Sequence, residues 1–79
     1  MDIDLIQAFY TLAEYKSFTK AADILCISQS ALSHRMHVLE DELGVTLVER
    51  GRGKREFHLS PSGLAFVPLA ERRIALEKE

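Results

Sequence analysis

His34 and His37 stand three residues apart, a spacing that on a helix brings two imidazoles to one side and can begin a metal site. A zinc site needs three or four protein ligands. The single cysteine, Cys26, falls in a turn, and the nearby acids fall on other faces of the helix. The histidines therefore read as flat hydrogen-bonding side chains, and no metal or other cofactor is expected. No nucleophile–base–acid set, phosphate-cradling glycine loop or buried carboxylate pair accompanies them, so the chain does not read as an enzyme. Glu40-Asp41-Glu42 reads as a solvated charge run at a helix end.

The remaining polar chemistry suits a nucleic acid. Ser30, Ser33, His34 and His37 share one side of a helical segment, and their hydroxyl and imidazole groups can reach base edges or phosphates in a major groove ~12 Å wide. Downstream, Arg50-Gly51-Arg52-Gly53-Lys54-Arg55 holds four cations, two glycines and no acid. Glycine lets backbone approach a sugar-phosphate surface, and arginine forks onto phosphate or enters a narrow minor groove. Arg50, Arg52 and Lys54 are the expected contacts from this stretch. The formal net charge of −2 opposes a simple nucleic-acid reading. Its distribution does not, because acids gather at 2–14 and 40–42 while cations gather at 50–55.

The elements that must position these groups follow from periodicity and caps. Asp2 or Asp4 starts a first helix, with Gln7 placed for a capping box on Asp4, and Ile6, Phe9 and Ala13 carry it to about Tyr15. Ser17 caps a short second helix, Phe18 to Leu25, whose Ala21-Ala22 centre lets another helix approach closely. Cys26-Ile27 suits a tight turn, with Cys26 a small, partly buried residue. Ser28 then caps a third helix ending at Leu43, where Gly44 supplies the favoured C′ residue. Leu32, Met36, Leu39 and Leu43 form its apolar stripe, opposite the polar side. Thr46–Glu49 and Phe57–Leu59 read as short strands joined by the basic segment. Ser60-Pro61 opens a fourth helix with serine as cap and proline at the first turn.

This order predicts a mainly α fold: a winged helix-turn-helix with a three-helix core, a two-stranded β wing and a C-terminal linker helix. The 79 residues suffice for one domain at most. Residues 1–60 are expected to form the DNA-binding unit, and 61–79 a linker helix cut from a longer chain, since no cap closes its end. Leu64, Phe66, Val67, Leu69, Ala70, Ile74 and Leu76 cover more than one face of that helix. Such an excess predicts pairing with a second copy, with Val67, Ala70, Ile74 and Leu76 as the expected dimer contacts. No apolar run reaches the ~20 residues of a membrane span. The acidic start is unlike a secretory signal, and one cysteine suits a reducing cytoplasm.

Ser17-Phe18-Thr19-Lys20-Ala21-Ala22, Ile27 to Ser33, Leu39-Glu40-Asp41-Glu42-Leu43-Gly44 and Leu47-Val48-Glu49-Arg50 together resemble the N-terminal domain of LysR-type transcription regulators. The resemblance covers nearly the whole chain. It implies sequence-specific binding of double-stranded DNA, with the third helix (about 28–43) in the major groove and the wing (50–55) on the minor groove or backbone. It also implies a fourth helix that pairs two subunits and leads to a ligand-binding domain, so that any small-molecule effector acts through a C-terminal domain absent from this chain. Carried onto these residues, it adds Gln29 and Arg35 to the contacts Ser30, Ser33, His34, Arg50 and Arg52. Three departures stand out. Ser30 replaces the family's usual proline, and His34 replaces a common arginine, exchanging a permanent charge for a titratable one. Pro68 falls inside the fourth helix, where it removes a backbone bond and is expected to cause a kink. The rival class is a winged helix used for protein–protein contact, which salt-dependent binding to mixed DNA would distinguish.

Overall fold

A computed structural model describes residues 2–50 and 57–78. The chain forms helices α1 (Ile3–Tyr15), α2 (Phe18–Leu25) and α3 (Gln29–Leu43), strands β1 (Val48–Arg50) and β2 (Phe57–Leu59), and helix α4 (Pro61–Glu77). Three serines close helix starts as their sequence positions predict. The hydroxyl of Ser17 accepts from the Lys20 N–H, that of Ser28 from Ala31, and that of Ser60 from Gly63. Asp2 caps α1 by position only, without a side-chain bond. Because α1 begins at Ile3, Asp4 sits inside the first turn and the box with Gln7 does not form. Its charge there still complements the positive end of the helix.

The core gathers around α1, which packs against all three other helices. Phe9 and Leu12 of α1, Leu32 and Leu39 of α3, and Leu47 between α3 and β1 are its largest fully buried side chains. Each stabilises the fold by roughly 1.5–3 kcal/mol relative to exposure. Ala21 and Ala22 are buried against α1 and α3, the close approach their size predicts. Of the α3 stripe, Leu32, Met36 and Leu39 are buried and Leu43 is half-buried at the edge.

The strands pair antiparallel in the register Val48↔Leu59, Glu49↔His58 and Arg50↔Phe57. The first strand starts two residues later than the sequence predicts, and the backbone bonding explains why. The Glu40 carboxylate accepts from the N–H groups of both Leu47 (2.7 Å) and Val48 (3.1 Å). The Leu47 carbonyl accepts from the Ser60 N–H at 2.9 Å, and the Thr46 carbonyl accepts from the Ser60 hydroxyl. Thr46-Leu47 is thus tied to α3 and α4 before the ladder begins. Glu40, expected in solvent, is instead a latch between α3 and the wing base.

Helix α4 runs unbroken through Pro68, which lies on its exposed side. Its inward face corrects the dimer assignment. Ala70 is fully buried in the chain's own core, and Val67 and Ile74 pack against that core. Ala70 is thus enclosed within one chain, Val67 and Ile74 are half-buried against it, and Leu76 is the most open of the expected dimer set, at 58% exposure.

Candidate nucleic-acid interface

Helices α2 and α3 are joined by Cys26-Ile27-Ser28. Cys26 takes the left-handed conformation (φ 60°), and its N–H caps α2 by donating to the Ala22 and Asp23 carbonyls. The Ile27 N–H donates to the Ala22 carbonyl at 3.0 Å, and the Ile27 side chain packs onto the core. The turn is therefore anchored at both backbone and side chain. Cys26 itself is exposed, not partly buried as expected from sequence.

That turn brings the N-terminal ends of α2 and α3 together with the end of β1. Ser17, Phe18, Thr19 and Lys20 from α2, Gln29, Ser30 and Ser33 from α3, and Arg50 from β1 line a cleft of about 500 Å³. Its described lining holds two cations and no acid. Each helix also points unbonded N–H groups and the positive end of its dipole this way. Helix ends with these properties bind anions such as phosphate.

The contacts expected from sequence divide into groups. Gln29, Ser30, His34 and His37 are exposed on α3, while Ser33 and Arg35 are half-buried. Arg50 is exposed but already engaged: its guanidinium donates to Ser33 Oγ at 2.7 Å and lies 4.5 Å from the centroid of the Phe18 ring. Phe18 meets Phe57 of β2 edge-on at 5.2 Å. Arg52 and Lys54 lie outside the described residues. Among the described residues no cluster of three or more potential metal ligands occurs. No described helix is long and apolar enough to cross a membrane.

Thr19 and Lys20 line the same cleft, yet sequence reasoning gave them no role. The available signal was their place directly after the Ser17 cap, at the start of the helix preceding α3. At the far side of the wing base, Glu49 and His58 oppose each other across the strands at 2.8 Å. Both are well exposed, so the pair contributes little stability.

Residues 3–64 match the family described as "Bacterial regulatory helix-turn-helix protein, lysR family". Over 70 residues the chain is 43% identical to the HTH-type transcriptional regulator BenM of Acinetobacter baylyi, covering 89% of this chain and 22% of BenM. It is 41% identical over 64 residues to the glycine cleavage system transcriptional activator homolog of Haemophilus influenzae, covering 81% of this chain and 21% of that protein. The structure described as "Crystal structure of CbnR_DBD-DNA complex" matches with a TM-score of 0.90 at 33% identity, covering 99% of this chain and 87% of that one. The BenM DNA-binding domain on catB site 1 DNA matches at 0.88 and 38% identity, covering 99% and 85%. The chain spans less than a quarter of the length of these two curated relatives.

Proposed function

Because this chain belongs to the bacterial LysR family of helix-turn-helix regulators, we propose that it is the module with which a cytoplasmic transcription regulator reads double-stranded DNA. The observation that carries the reading is the cleft where the starts of α2 and α3 meet Arg50, with two cations and no acid among its described lining residues. The BenM and CbnR domains, which this chain matches over nearly its full length, were solved on DNA.

In this reading α3 enters the major groove N-terminus first, bringing Gln29, Ser30, Ser33 and His34 nearest the bases. Thr19 and Lys20 at the start of α2, with the adjacent backbone N–H groups, hold a phosphate. Such contacts fix register and carry no sequence information. Arg35 and His37 lie farther along and contact the flanking backbone. Arg50 enters as the bonded partner of Ser33, while Arg52 and Lys54 reach the minor groove or backbone. The module needs no catalytic group or cofactor, and two copies pair through α4. An effector would act through a separate C-terminal domain.

A salt titration with mixed genomic DNA tests the central reading. Affinity should fall linearly in log–log coordinates, with a slope near −0.9 for each phosphate neutralised. Lys20→Ala should reduce that slope by about one phosphate's worth and weaken all sequences alike. Negligible, salt-independent DNA affinity would instead mark the chain as a protein-interaction module.

A further inference from the structure

Arg50 and Ser33 come from different elements, and the guanidinium donates to the hydroxyl oxygen at 2.7 Å. A serine hydroxyl has one O–H and two acceptor lone pairs, whereas a guanidinium can only donate. The bond thus uses an acceptor site on Ser33 Oγ and leaves the O–H for another partner. Hydrogen bonds from a charged donor are shorter and stronger than neutral ones. Arg50 is also held from a second side, its Cζ lying 4.5 Å from the centre of the Phe18 ring, which Phe57 supports edge-on. One guanidinium from β1 is therefore anchored to both helices of the helix-turn-helix.

We propose that Arg50 is a positioning residue for base selection: by occupying one of the two lone pairs of Ser33 Oγ and placing a cation beside it, it biases that hydroxyl toward donating. This rests on the reading that α3 enters the major groove. There guanine presents O6 and N7, adenine N7 and thymine O4 as acceptors, while cytosine presents only its N4 amino donor. A cytosine amino group directed at Ser33 would meet an oxygen already bonded to a cation. The pair consequently favours acceptor-bearing bases and disfavours cytosine, whose amino group would have to share the oxygen with a cationic donor. A serine without Arg50 would accept from cytosine as readily as it donates to the others.

The test is a selection from randomised double-stranded DNA with the parent chain, Ser33→Ala, Arg50→Ala, Arg50→Lys and the Ser33→Ala/Arg50→Ala double variant. Ser33→Ala identifies the position read by Ser33, because discrimination is lost there. Arg50→Ala should keep the rest of the site while relaxing the bias against cytosine at that position about two- to tenfold, the range of one net hydrogen bond. Arg50→Lys retains a cationic donor and should restore part of it. Adding Arg50→Ala to Ser33→Ala should change nothing further at that position. Phe18→Leu removes the aromatic platform and should relax the same position partially; it decides the matter if Arg50→Ala does not melt cooperatively. Unchanged base preference in Arg50→Ala, with a salt slope reduced by about 0.9, would make Arg50 a phosphate contact and overturn the proposal. A parent that binds DNA without selecting any sequence would instead sink the reading of α3 on which the proposal rests.

Discussion

Glu40 shows how a single carboxylate can organise backbone far from its own turn. It lies in an acidic run that sequence alone assigns to solvent, because nothing periodic links it to residues seven and eight positions later. In the fold one oxygen accepts two backbone N–H groups, at Leu47 and Val48. Removing the acceptor leaves partly buried donors unpaired, which costs roughly 1–3 kcal/mol. Glu40→Ala should therefore lower unfolding stability by about 2 kcal/mol in urea, and Glu40→Gln, which retains an acceptor, by less. Equal stability of Glu40→Ala and the parent would remove the latch. A second long-range contact gives a pH signature. The Tyr10 hydroxyl donates to Glu71 at 2.9 Å, and that hydrogen bond, with the carboxylate's charge, raises the phenol above its ordinary value of 10.0. A group whose folded value is raised contributes stability that is fully present below its unfolded value and is lost as pH rises through the folded one. The parent's melting temperature should accordingly drop more steeply than that of Tyr10→Phe between about pH 9 and pH 11. Parallel profiles for the two proteins would exclude the contribution.

Among the elements, the parts legible in sequence were those governed by local chemistry. Ser17, Ser28 and Ser60 each satisfy an N–H three residues on, and Gly44 ends α3 at φ 71°. Those signals lie within one turn of the boundary they mark. The start of β1 was not legible, since Thr46-Leu47 bonds to groups on α3 and α4 and not to a neighbouring strand. The role of Gly63 was not legible either, since it emerges from packing between elements. A Cβ there would lie 2.2 Å from the Leu47 carbonyl oxygen and 3.3 Å from the Leu59 Cβ. In an open helix, Gly→Ala stabilises by roughly 0.5–1 kcal/mol. Here the clash is with backbone, which cannot rotate away as a side-chain tip can. Gly63→Ala should instead destabilise by about 1–3 kcal/mol, the usual range for overpacking, and should loosen β1. Thermal unfolding with amide exchange at Val48 and Leu59 measures both effects. A more stable Gly63→Ala chain would show that α4 docks less closely than described.

At the scale of the whole molecule, α4 joins the chain's stability to its assembly. The sequence correctly shows more apolar residues than one face requires, but it cannot say which face meets the core. At 100° per residue, Gly63, Phe66, Val67, Ala70 and Ile74 fall on one side, and all are buried or half-buried. Leu64, Ala65, Pro68, Leu69, Arg72, Ala75 and Leu76 fall within an arc of about 140° on the other, and all are exposed. Arg72 is the one charge among those seven, while Leu64, Leu69 and Leu76 are 62%, 55% and 58% exposed. This open face is where the proposed pairing with a second copy belongs, and Ala70 cannot supply it without leaving the core. The two faces make the prediction separable. Leu69→Glu or Leu76→Glu should yield folded monomers in sedimentation while the helical circular dichroism and melting transition persist. Ala70→Glu should unfold the chain, because it buries a charge without a partner. Joining two reading helices through α4 also makes the second half-site an intramolecular target, so avidity can exceed single-site affinity by 10²–10⁴. On DNA with two half-sites, Leu69→Glu should lose affinity by about that factor, yet bind an isolated half-site as the parent does. Sedimentation of the parent as a monomer at high concentration, both free and on two-half-site DNA, would refute pairing through this face.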